Sequence, residues 1–213
     1  MGYYVYLKSI SIEKYKKILR KTELIPSWKI LEDDIDRNLD ILKKYNIRNL
    51  DELLIALKDK TKIQEFSKQS GLSPGYRQKP NRIRDFSCLS EDVIGKLDKL
   101  GFKNTLKLYD TVITPEKRSE FSKKLGISKD EMMKLTKLTD LSRIRWVNHT
   151  FAYVLLESGY DTTEKVANAD YKKLYETIKQ LNDDRKIYNA HIGERDMKMI
   201  IDFAQQLDFE IEY

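Results

Sequence analysis

The chain has 213 residues, 40% hydrophobic and 35% charged, and its 40 basic and 34 acidic side chains leave a net charge of +6. Eight glycines and four prolines are too few for the many tight turns of an all-β fold, and no apolar run approaches the ~18 residues of a membrane span. The one cysteine, Cys88, cannot form an internal disulfide, and no basic leader followed by an apolar run opens the chain, so the expected setting is the cytoplasm.

Taken in order, residues 3–7 (YYVYL) are aromatic and β-branched and read as a strand. The alternating apolar and acidic residues 209–213 (FEIEY) are their natural partner, so a small β pair is expected to join the two ends. Everything between reads as helix, which makes the expected class mainly all-α. Ser11 can cap a helix whose apolar positions are Ile12, Tyr15, Ile18 and Leu19. Pro26 and Ser27 interrupt, and a further helix is expected from about Ile30. A last helix over 194–207 carries Met197, Ile200, Ile201, Ala204 and Leu207 on one face.

Within this helical stretch the chain repeats itself. Residues 41–50 (ILKKYNIRNL) correspond to 96–105 (KLDKLGFKNT), and 66–73 (FSKQSGLS) to 121–128 (FSKKLGIS), both at a spacing of 55 with no gap. A third copy follows at an offset of 58, where 97–102 (LDKLGF) aligns with 155–160 (LLESGY) and Leu108 with Val166. Asn46, Gly101 and Gly159 fall where a helix must end in a left-handed residue, and Ile47, Phe102 and Tyr160 follow as the apolar contact that closes such an end. Each unit therefore reads as helix, hairpin, helix, left-handed stop and helix, and buries its apolar face by stacking on a neighbour. Residues 74–84 (PGYRQKPNRIR) hold two prolines, one glycine and four basic residues and read as a linker. The expected division is 1–73, with the first strand, helix and repeat; 74–84, the basic linker; and 85–213, with the second and third repeats, last helix and strand.

The opening GYYVYL, the paired FSK-x-x-G blocks, the stretch 135–178 (LTKLTDLSRIRWVNHTFAYVLLESGYDTTEKVANADYKKLYETI) and 192–198 (IGERDMK) resemble the prokaryotic family known as domain of unknown function 4332. The resemblance spans essentially the whole chain and is most specific in its middle and last thirds. It implies tandem helix-hairpin-helix-like repeats, a fold that often holds DNA, and it implies no activity. Family members carry more helix before the QKP segment than this chain does.

Helix-hairpin-helix units that bind DNA use a glycine, apolar, glycine hairpin, so that backbone N–H groups reach a phosphate at the start of the second helix. The matching triplets here, Cys88-Leu89-Ser90 and Trp146-Val147-Asn148, have lost both glycines. Acidic residues enter the first copy (Glu32, Asp33, Asp34, Asp36) and the second (Glu91, Asp92), and both repel an anion. Only the third is compatible, with Asn148, His149 and Thr150 at the helix start and Arg143 and Arg145 just before; the competing reading packs Trp146 between repeats and solvates or pairs both arginines. Tyr76, Arg77, Lys79, Arg82 and Arg84 in the linker form a second candidate, suited to phosphate backbone or single strands, against a merely solvated linker. Charge is uneven: 15 basic against 11 acidic residues over 1–70, 15 against 10 over 71–140, and 10 against 13 over 141–213.

Signals for catalysis are absent. His149 and His191 lie in different elements, and no zinc spacing or phosphate-binding glycine loop occurs. Cys88 has no evident basic partner to lower its pKa, and Met132, Met133, Met197 and Met199 read as core fillers. The expectation is a non-catalytic binding protein with no metal, cofactor, small-molecule substrate or membrane. Two partners remain open: DNA or RNA, held non-specifically by its backbone, and another protein seated on degenerate repeats.

Overall fold

The computed structural model describes residues 6–21, 35–56 and 80–213, and these are mainly helical, with no β-sheet among them. Two compact units divide at Arg77 and Gln78, inside the expected linker. The linker ends sooner than expected, because Ile83 is 2% exposed and belongs to the core of the second unit. Residues 74–79 of that segment, the helix expected from Ile30 and the first FSK block lie outside the described residues.

In the unit Tyr6–Arg77, a 3-10 turn over Leu7–Ser9 leads into α1 (Ile12–Lys21), followed by α2 (Ile35–Lys44) and α3 (Leu50–Ala56). Ser11 caps α1 as expected, its Oγ accepting from Lys14 N at 3.1 Å. Ile12, Leu19, Leu39, Leu42 and Ile47 form the core. Leu7 lies in the 3-10 turn and Tyr6 caps it, neither in a strand; residues 3–5 of that expected strand fall outside the described residues.

The second unit runs through a 3-10 turn at Ile83–Asp85 and then α4 (Glu91–Lys99), α5 (Thr105–Val112), α6 (Pro115–Leu125), α7 (Lys129–Leu141), α8 (His149–Glu157), α9 (Thr163–Ala167), α10 (Tyr171–Arg185) and α11 (Glu194–Ala204). Polar side chains fix where these helices start: Ser90, Asn104, Thr114, Ser128, Asn148, Thr162 and Asp170 each accept a first-turn backbone N–H. Such a cap contributes about 1 kcal/mol. At α7 the cap is reciprocal, since Glu131 reaches back to Ser128 N at 2.8 Å. The Ser128 N–H, and then its hydroxyl, hold the Glu131 carboxyl below the usual carboxylate range. Met197, Ile200, Ile201, Ala204 and Leu207 are all buried, as their periodicity requires.

Positions aligned at the 55-residue offset do the same structural work in the two units. Asn46 (φ 57°) and Gly101 (φ 82°) end α2 and α4 in the left-handed region. Ile47 N and Phe102 N then donate back to Leu42 O and Leu97 O at 3.1 and 2.9 Å. Asn49 and Asn104 cap the next helix, and each also forms an isolated antiparallel bridge, to Ser11 and to Arg82. At the further offset of 58, Gly159 (φ 83°) and Thr162 repeat the stop and the cap. Leu42, Leu97 and Leu155, which share one aligned position, are all 0% exposed.

A Cβ added at Gly101 meets no heavy atom within 4 Å, so only the backbone resists substitution there. Gly101→Ala is expected to lower stability by about 1–2 kcal/mol. Urea unfolding with an unchanged slope is the check, and a variant as stable as the parent would mean that the turn is not held left-handed.

Residues 209–213 were expected to form a strand but carry no regular structure. Their backbone groups are taken up singly instead, with Glu212 N donating to Ile113 O at 2.9 Å and Glu212 O accepting from Arg118 Nη2 at 2.5 Å. Pairing of this segment with residues 3–5 lies outside what is described.

Candidate functional site

The α7–α8 hairpin, residues 142–148, is the element in which the sequence concentrates its candidates. Ile144 and Val147 anchor it, both 0% exposed, with Val147 N donating to Ile144 O at 3.1 Å. Between the two anchors the backbone turns left-handed at Trp146, φ 72°, a conformation that disfavours so bulky a residue. Trp146 thus takes the backbone geometry of a glycine while presenting a side chain 38% exposed. Asn148 caps α8, its Oδ1 accepting from Phe151 N at 2.8 Å. His149 and Thr150 open the helix half-buried, with the His149 ring edge-on to Phe86 at 6.3 Å.

The two hairpin arginines part company. Arg143 corrects the phosphate-contact expectation: its side chain is 0% exposed, Nη1 donates to Asp140 Oδ1 at 2.9 Å, Nη2 donates to Asp208 O at 2.6 Å, and its guanidinium lies 5.0 Å from the centre of the Tyr109 ring. A guanidinium so enclosed does not reach a nucleic-acid backbone. Burying it is tolerable because Asp140 neutralises it. Arg145 is half-buried, with its guanidinium 5.4 Å from the Trp146 ring and 5.1 Å from the Phe203 ring.

Of the linker candidates, Tyr76, Arg77 and Lys79 lie outside the described residues. Arg82 and Arg84 are exposed but ion-paired, with Asp85 at 2.8 Å and with Asp98 at 3.0 Å. Over residues 80–213 the charges balance, 23 basic against 23 acidic. Arg82 and Arg84 each stand beside a carboxylate and Arg143 is enclosed with Asp140, so these three form no acid-free basic face.

Asp140 is the residue that sequence reasoning missed. One buried carboxylate accepts from Arg143 Nη1, from Thr163 N at 2.7 Å and from Tyr213 OH at 2.9 Å, while its own carbonyl accepts from Thr163 Oγ1 at 3.0 Å. Thr105, the residue aligned with Thr163, donates its N–H to the carbonyl of Asn81 instead, at 3.0 Å. A side chain has taken over a backbone acceptor. The readable signal was the Asp140, Arg143 spacing of three, which places opposite charges together at the end of a helix.

Neighbouring groups follow from the same physics. Asp161 is penalised most by burial, yet Lys137 and Lys165 together hold its carboxyl below the usual range. The Cys88 thiol is pushed up by burial, against a smaller opposing pull from Lys134, so burial works against thiolate formation there. Among the described residues no group of three or more His, Cys, Asp or Glu is placed to hold a metal ion, and no helix is long and apolar enough to cross a membrane.

The phenols of Tyr109 and Tyr213 are raised above the ordinary tyrosine range, each chiefly by burial, with Glu210 opposing ionisation of the first and Asp140 that of the second. Unfolded tyrosine ionises near pH ~10, so the stability these protonated phenols contribute is complete below that value and is lost as pH rises above it. Thermal unfolding followed from about pH 9 to about pH 11.5 should show a falling midpoint. The fall should be smaller in Tyr213→Phe; the same slope in both chains would mean that Tyr213 does not hold its proton.

The site defines a class before it defines a family: a mainly helical protein whose hairpin Arg143 is turned inward and whose basic and acidic residues balance over 80–213. Residues 87–207, more than half of the chain, match the family model described as Domain of unknown function (DUF4332), and the chain belongs to that family. No curated protein and no solved structure matches it.

Proposed function

We propose that this chain is a non-catalytic binding protein of the cytoplasm, built from tandem helix-hairpin-helix-like units, and that its third hairpin presents a face to another protein. The repeated stops at Asn46, Gly101 and Gly159, and the repeated caps at Asn49, Asn104 and Thr162, support the tandem reading. The observation that carries the partner is the Arg145 guanidinium laid against the Trp146 and Phe203 rings. Arginine and tryptophan are the residues enriched where protein interfaces concentrate their binding energy. The balanced charge of residues 80–213 and the inward turn of Arg143 argue in the same direction, since non-specific nucleic-acid affinity comes from cations facing phosphate. No metal, cofactor or small-molecule substrate enters this reading.

A second reading rests on the backbone of Trp146. Its left-handed turn is the one a glycine hairpin uses, and α8 has no acid in its first turn. On that reading Arg145, Asn148, His149 and Thr150, with the basic segment around Arg82 and Arg84, contact the backbone of DNA or RNA.

A photo-crosslinking amino acid placed at position 146 of the chain in living cells separates the two. The protein reading expects a discrete protein adduct at 146 that is absent when the same group stands at exposed position 185. Adducts to nucleic acid alone, or identical products at both positions, would overturn it.

A further inference from the structure

Residues 208–213 cross the second unit as an irregular strap, and the way they are held resembles the reading of a peptide more than the packing of a core. Four of the contacts that hold the strap come from three buried or part-buried groups and one backbone carbonyl. Arg143 Nη2 donates to Asp208 O at 2.6 Å, Arg118 Nη2 donates to Glu212 O at 2.5 Å, Ile113 O accepts from Glu212 N at 2.9 Å, and Tyr109 OH meets Glu210 Oε2 at 3.1 Å. Three of these read main-chain atoms and are indifferent to side-chain identity. Three side chains supply selectivity: Glu210 accepts from Tyr109 OH, Ile211, 9% exposed, enters the core cluster, and Tyr213 OH donates to Asp140.

Both arginines divide their work in the same way. Arg118 is fixed to its own unit through Nη1, which donates to Val112 O at 2.8 Å and Ile113 O at 3.3 Å, and only Nη2 reaches the strap. Arg143 is fixed through Nη1 to Asp140, and again only Nη2 reaches the strap. If the strap left, each guanidinium would keep its place with one donor arm presented to the next acceptor. The strap carries no helix or strand, so its departure dissolves no secondary structure. It also lies beyond residue 207, where the family match stops. Phe209 and Tyr213 are about half exposed as residues, at 48% and 50%, and Ile211 is the buried apolar residue of the segment.

We propose that the groove lined by Tyr109, Ile113, Arg118, Asp140 and Arg143 is a peptide-binding site occupied in cis by residues 208–213. Its ligand in trans is an extended acidic segment of a partner protein, with an aliphatic residue two positions before a tyrosine, as Ile211 stands to Tyr213. The tethered strap competes with that segment at high effective concentration and so sets a threshold for binding. This shares with the hairpin reading only the class of partner. A peptide that fails here leaves the crosslinking result at position 146 unaffected.

The test uses the full chain and a labelled peptide of the strap's own sequence, DFEIEY, followed by fluorescence anisotropy. Ile211→Ser with Tyr213→Phe weakens the strap and should tighten peptide binding roughly tenfold or more over the unaltered chain. Adding Arg118→Ala to that variant should abolish the gain, and a scrambled peptide should not bind. Absence of binding to the strap-weakened chain, or equal binding of the scrambled peptide, would overturn the proposal. So would loss of the helical circular dichroism signal in the strap-weakened chain, which would make the strap part of the core. Dimers of that chain without peptide binding would assign the groove to a second copy and overturn the partner assignment.

Discussion

Asp140→Ala is expected to lower the unfolding free energy by about 3–5 kcal/mol. The carboxylate is 4% exposed and its partner Arg143 0%, so the substitution strands a guanidinium away from water and also removes the acceptor for Thr163 N and Tyr213 OH. The pair itself is not a strong source of stability, because desolvating two charges consumes most of their attraction. Asp140→Leu combined with Arg143→Met should therefore recover only the part of the loss that comes from the stranded guanidinium, since Thr163 N and Tyr213 OH still lack their acceptor. Urea unfolding of the single and double variants measures both quantities. A single-variant loss below about 1 kcal/mol would mean that Arg143 reaches solvent when Asp140 is gone. Arg143 would then return to the surface as a candidate for phosphate.

The second large effect is expected in the core. Leu155→Ala removes a side chain that is 0% exposed within α8 and should cost about 2–5 kcal/mol, from lost burial and from the cavity left behind. Leu97→Ala, at the aligned position in α4, should fall in the same range. Similar losses would support equivalent packing roles at the two positions. A loss confined to one of them would mean that the shared position is a coincidence of spacing.

The sequence was most readable where one residue decides a local conformation. Gly101 and Gly159 mark left-handed stops because little else tolerates them, and Asn46 was found by the same reasoning. Ser11 and Asn148 could be read as helix starts because a polar side chain can satisfy a first-turn N–H. It was least readable where a long side chain chooses between water and the interior. Arg143 and Arg145 stand two apart in one hairpin with the same charge, yet one is enclosed by Asp140, Asp208 O and Tyr109 while the other lies against Trp146 and Phe203. That difference depends on residues 34 to 65 positions away, which no local pattern encodes. Arg118, inside the second FSK-containing helix, was missed for the same reason.

Residues 209–213 show the opposite error. Their alternation is the period of a strand, and Ile211 is indeed the buried member. Period two reports only that one side faces a core, however, and does not say what receives the backbone hydrogen bonds. Here Arg118 Nη2 donates to Glu212 O and Ile113 O accepts from Glu212 N, in place of a neighbouring strand.

The central proposal is that the α7–α8 hairpin faces a protein rather than nucleic acid, with Arg143 enclosed by the protein itself. Fluorescence anisotropy of the full chain with labelled single- and double-stranded DNA, at low and at physiological salt, tests it most directly. The account expects no binding that weakens steeply with salt and depends on Arg145, even at low salt, where electrostatic attraction is strongest. Micromolar binding that collapses as salt rises, and that Arg145→Ala abolishes, would contradict it.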